Sequence, residues 1–144
     1  MNIWQFQHAL SRRLQKWAFI SIGSGLLMRF GGKFFKGMGG QFVGWGIINA
    51  GIALFGRSSA DNRAGDLPNP GLLSIKEKET SNLRMLLLVN AGLDVLYILF
   101  GLRMSRSDKG DGARRGNGLG IVIQGAFLLL FDLIHALTLP NPED

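Results

Sequence analysis

Apolar residues in this chain come in long blocks, and the polar residues gather between them. Gly37 to Gly56 is a run of 20 residues without a charge, and in the 18 residues from Met85 to Leu102 Asp94 is the one charged side chain. A last long apolar run, Gly116 to Pro140, carries Gln124, Asp132 and His135. Blocks of this length are what an α-helix needs to cross a hydrocarbon core ~30 Å thick. A shorter block, WAFISIGSGLLMRF, follows a basic segment; no small-x-small cleavage site comes after it, so it reads as a retained first span. The pattern predicts an all-α fold in one membrane domain, residues 1–144, built as a bundle of four transmembrane helices at residues 17–32, 38–56, 83–102 and 117–138. Residues 1–16 are expected to form an interfacial amphipathic helix, because Ile3, Phe6, Leu10, Leu14 and Trp17 recur at steps of three and four.

The connections carry their own signals. RSSADNRAGDLPNPG, from Arg57, holds two prolines and two glycines and predicts irregular chain. SIKEKETSNLRM leads into the third span, with Ser81 or Asn82 as the candidate helix cap. RMSRSDKGDGARRGNG is basic and has no apolar content with which to fold. A weak repeat links NAGIALFG, NAGLDVLYILFG and QGAFLLLF. Two tandem helical hairpins related by pseudo-symmetry account for it, and so does low-complexity Gly/Leu usage. In the second span Gly40 and Gly44 are four apart, as are Gly46 and Ala50, a spacing that lets membrane helices approach closely, inside the bundle or between protomers.

The formal net charge is +6 and the pI near 10.3. The Lys and Arg flank apolar runs rather than line one face, so the expected partners are the lipid bilayer and anionic lipid headgroups, not nucleic acid. The two ends of the bundle would carry eight basic residues each, which leaves the orientation open. The absence of cysteine excludes disulfides, thiolate metal sites and cysteine nucleophiles. GxGxxG, P-loop, HExxH and GxSxG motifs are all missing, so nothing points to a nucleotide-binding or hydrolytic enzyme.

Helical spacing puts Asn90, Asp94 and Tyr97 on one face, and Gln124, Asp132 and His135 on another. With antiparallel neighbours and ~1.5 Å of rise per residue, Asn49, Asn90 and Asp132 fall at one level. Asp94 falls near mid-depth beside Trp45, Tyr97 level with Gln124, and His135 one turn beyond Asp132. An Asp at the centre of a span costs ~2.5–3.5 kcal/mol, whereas an interhelical hydrogen bond returns only ~0.6 kcal/mol. The carboxyls are therefore expected to be neutral, to be paired, with Arg29 a candidate for Asp94, or to bind something. Asp132 and His135 offer two ligands where catalytic zinc takes three, so no metal and no cofactor is expected.

QFVGWGIINAGIALFG, LLLVNAGLDVLYILFG and GNGLGIVIQGAFLLLFDLIHA together resemble a group of small bacterial four-helix membrane proteins classed as a domain of unknown function. The resemblance spans almost the whole chain and implies a helical bundle in a bacterial membrane; it supplies no activity and no site residues. The reading that results is a non-enzymatic multi-pass protein of the bacterial cytoplasmic membrane, acting as an accessory, assembly or interaction subunit in a homo-oligomer or larger membrane complex. The alternative is a small oligomeric transporter or proton-conducting protein that uses the intramembrane Asp/Asn/His cluster, with a lipid-modifying enzyme third.

Overall fold

Asn2 starts the first helix. Its side chain accepts from the Gln5 backbone N–H, while the Gln5 side chain accepts from the N–H of Asn2, so two of the orphan donors at the helix start are satisfied. The computed structural model describes residues 1–143 and holds four helices: α1 (Ile3–Met28), α2 (Lys33–Asp66), α3 (Leu73–Ser105) and α4 (Ala113–Leu137), with no strand among the described residues. Three of them, α2, α3 and α4, are long and apolar enough to cross a membrane.

α1 departs from the sequence expectation. Residues 1–16 do not form a separate amphipathic surface helix; they are the first half of one helix that runs to Met28. Its buried residues, among them Ile3, Ser11, Ala18 and Gly25, make one stripe at steps of three, four and seven. The stripe finds a partner along its whole length, so nothing ends the helix at Lys16.

α2 overshoots the second apolar run and continues through Arg57–Asp66, where irregular chain was expected. The prolines stand at Pro68 and Pro70, beyond the helix end, and a proline restricts chiefly its own position and the residue before it. Tertiary contacts hold the extra turns: Ala60 is buried, His8 Nε2 lies 2.8 Å from Asp61 Oδ1, and Arg63 reaches Glu79 of α3. α3 likewise starts at Leu73, so the candidate caps Ser81 and Asn82 lie inside it, where Thr80 and Leu83 already belong to the buried stripe.

Glycines set how closely the helices approach. α1 and α2 form one hairpin, in which a Cβ on Gly25 would stand 2.6 Å from Gly39 O. α3 and α4 form another, in which a Cβ on Gly101 would stand 2.7 Å from Gly118 O. The hairpins join where α2 meets α4, with Gly116 against the Phe34 carbonyl and Gly37 against that of Ala113. α4 is entered through Gly112, whose φ of 93° suits glycine. Lys33 Nζ sits 2.7 Å from Asp111 Oδ2 and ties the starts of α2 and α4. That hydrogen bond, helped by the Ala113 N–H, holds the exposed Asp111 carboxyl below the usual carboxylate range.

Both chain ends lie at one end of the bundle. Ile3 and Phe6 pack with Leu83, Leu87 and Ala136, and the Trp4 indole N–H donates to Pro70 O at 3.1 Å.

Candidate functional site: the buried polar side chains

The stripe that buries α1 also carries polar groups, and two of them, Gln7 and Ser21, meet hydrogen-bond partners brought by other helices. Gln124 of α4 has no exposed surface; its Oε1 accepts from the Trp17 indole N–H at 3.0 Å and its Nε2 donates to Ser21 Oγ at 3.1 Å. Trp17 stacks on Phe127 with ring centroids 3.7 Å apart. Trp17 and Ser21, one turn apart on α1, thus fasten it to α4.

Nearer the terminal end, Arg13 Nη1 lies 3.0 Å from His135 Nε2, while His135 Nδ1 lies 2.6 Å from Phe131 O. A carbonyl can only accept and a guanidinium can only donate. His135 therefore carries its proton on Nδ1 and receives the Arg13 N–H on Nε2, a neutral ring fixed in one tautomer. Its face packs against Phe131 and Phe6 meets it edge-on.

Asp94 and Asp132 are both buried, and their carboxyl groups are close neighbours. Arg29 is exposed at the C-cap of α1, at the other end of the bundle from His135. Trp45 of α2 and Tyr97 of α3 meet edge to face, centroids 5.1 Å apart. One turn from this contact toward the terminal end, antiparallel α2 and α3 bring Asn49 and Asp94 to nearly the same level. Asn49 Nδ2 is a buried donor without an acceptor, and Asp94 Oδ2 a buried acceptor without a donor. Asn90, one turn before Asp94 on α3, is half-buried on the wall of a groove between α1, α2 and α3. Among the described residues no group of three His, Asp or Glu could hold a metal ion.

The packing residues of α2 divide. Gly46 is buried, and a Cβ there would stand 2.9 Å from Ala18 O. Ala50 is half-buried, whereas Gly40 and Gly44 face open space.

A second network has no counterpart in the sequence reading. Arg63 of α2 donates from Nε and Nη2 to the Glu79 carboxylate of α3, from Nη1 to Ser59 Oγ at 2.6 Å, and from Nη2 to Gln7 Oε1 at 3.1 Å. Gln7 Nε2 donates in turn to Glu79 at 3.1 Å. The signal for Gln7, Ser11 and Ser21 was present, since all three fall on the period of the α1 apolar stripe. Arg63 and Glu79 carried no such signal, because the loop between them hides their register.

Residues 13–133 match the model of a family of unknown function, DUF6992. The chain belongs to this family. No curated protein and no solved structure matches it.

Proposed function

We propose that this DUF6992 protein is a non-enzymatic integral membrane protein of four spans, in a bacterial cytoplasmic membrane, and that it works as an accessory or interaction subunit through the outer face of α2. The observation that carries the reading is how α2 uses its glycines. Gly39 and Gly46 are spent on α1, whereas Gly40, Gly44 and Gly51 lie at steps of four and seven with nothing within 4 Å of where a Cβ would be. Exposed Ile47 and Ile48 flank them. Small residues in such a row let another membrane helix come close. The membrane itself is supported by the outer surface, where Phe19, Ile20, Phe55, Leu96, Phe100 and Leu130 are all more than half exposed. A surface so apolar, contributed by all four helices, suits hydrocarbon rather than water.

Gly44→Leu tests the role. Space around Gly44 is open, and leucine is favoured over glycine in a helix by about 1 kcal/mol, so the isolated chain should melt no lower than the parent. Its association, read by size-exclusion light scattering and by affinity purification in mild detergent, should be lost. A parent that runs alone as a monomer, or a variant that keeps every partner, ends the proposal. For the membrane arrangement, reporter fusions after Glu79 and after Asp111 should report opposite sides, and both termini should report the Glu79 side. Agreement between the two loop fusions would remove the four-span topology.

A second reading, proton or monovalent-cation passage, is favoured by the neighbouring carboxyls of Asp94 and Asp132 and by the open donor and acceptor on Asn49 and Asp94.

A further inference from the structure

Between α1, α2 and α3 lies a groove of about 410 Å³. Its walls are apolar: Leu10 and Leu14 at the back, Ile52 and Phe55 on α2, Leu86 and Leu87 on α3. Ile52, Phe55 and Leu86 are each more than half exposed, so the groove opens sideways, between α2 and α3, onto the same apolar outer surface. The Trp45–Tyr97 contact joins α2 to α3 beyond its inner end. At the terminal end of the bundle the Arg63–Glu79 pair bridges the same two helices, with Gln7, Ser59 and Asn82 around it. From Arg63 to Ile52 the groove follows α2 for about 16 Å.

The dimensions are those of an extended hydrocarbon chain, and both charged groups stand at one end, with Ser11 and Asn90 the polar side chains further in. The geometry points to a phospholipid site: one acyl chain lies in the groove, and a zwitterionic headgroup rests on the Arg63, Glu79 and Asn82 rim. Charge decides the headgroup class. Arg63 is neutralised by Glu79 at 3.1 Å, so the rim offers one positive and one negative group and no net charge. A phosphate meets donors in the Arg63 guanidinium and the Asn82 amide, and an ammonium meets the Glu79 carboxylate. An anionic headgroup such as phosphoglycerol would satisfy the first and leave Glu79 opposing it. The basic residues that would draw anionic lipid, Arg57 and Arg84, are exposed and do not line the groove.

The site rests on the bilayer placement proposed above, and the test separates the two. Full-length protein is prepared from the membrane fraction and exchanged into nanodiscs of equimolar phosphatidylethanolamine and phosphatidylglycerol, and retained lipid is read by native mass spectrometry after transfer to mild detergent. One phosphatidylethanolamine per chain should remain, favoured over phosphatidylglycerol by about tenfold. Gly56→Leu should lose it, because the new side chain fills the groove and its Cβ meets only Ser11 Oγ at 3.4 Å. Leu86→Trp, placed on an exposed helix face at the groove opening, should lose it too and decides the matter should Gly56→Leu fail to fold. Retention by both folded variants, preference for phosphatidylglycerol, or detergent alone on the parent would overturn the site while leaving the membrane reading intact. Recovery of the parent from the cytosolic fraction without detergent would instead overturn the membrane reading, and the site with it.

Discussion

Gly116→Val is expected to abolish folding. A Cβ at Gly116 would fall on the Phe34 carbonyl, which is backbone at the first turn of α2 and cannot rotate away as a side chain would. Relief requires α4 to move off α2, and that contact is the most extensive one between the two hairpins. Overpacking a side chain into a core costs about 1–3 kcal/mol where neighbours can adjust. Here the obstacle is main chain, and the same displacement would open the neighbouring Gly37–Ala113 and Gly120–Gln41 approaches. Expression with a fluorescent fusion, followed by size-exclusion chromatography in detergent, should show loss of the monodisperse peak. Gly44→Val, with open space at the site, is the matched control and should keep it. A normal Gly116→Val peak would mean that α2 and α4 do not meet at this register.

These glycines show what could be read from the sequence and what could not. Block length and the lack of charge pointed to four spans, and three of the four helices, α2, α3 and α4, are long and apolar enough to cross a membrane. The small-residue spacing in the second run was visible too, but which glycine faces which neighbour was not. Gly39 and Gly40 are adjacent in the chain, yet one is buried against Gly25 and the other faces open space. Only the angular register of α2 against α1 separates them. The helix ends misled for a related reason. Prolines at 68 and 70 make the preceding loop look irregular, while contacts of Ala60, Asp61 and Arg63 with distant residues keep it helical. Local signals could not anticipate those partners.

The polar groups were legible as a class, and their pairing was not. Depth counting compares levels along an axis and ignores which way each face turns. It grouped Asn49, Asn90 and Asp132. In the structure Asp132 neighbours Asp94, Gln124 is held by Trp17 and Ser21, and Asn90 lines the groove. Of the partners on α1, Arg13 sat among the polar residues of the expected surface helix, while Trp17 and Ser21 lay in the short first span, where nothing marked them as hydrogen-bonding partners.

The Asp94–Asp132 pair separates the proposed roles. Each carboxyl is the buried neighbour of the other, so removing one leaves its partner facing an apolar side chain, at about 1–3 kcal/mol. Asp132→Leu and Asp94→Leu should each lower the melting temperature. Replacing both partners of a buried polar pair by apolar groups can be nearly neutral. The double Asp94→Leu/Asp132→Leu variant should therefore lose less than the two single losses added together, a coupling that a double-mutant cycle reads directly. Strictly additive losses would show that the carboxyls do not interact. Asp132→Asn then addresses function. The amide keeps the size and can donate to Asp94, so the fold should hold, but it can neither titrate nor carry charge. For an accessory subunit, proteoliposomes of the parent and of Asp132→Asn should show the same background proton flux. Flux in the parent that vanishes in a stably folded Asp132→Asn protein would replace the accessory role with proton passage, and would make the open Asn49 amide and Asp94 oxygen the next groups along its path.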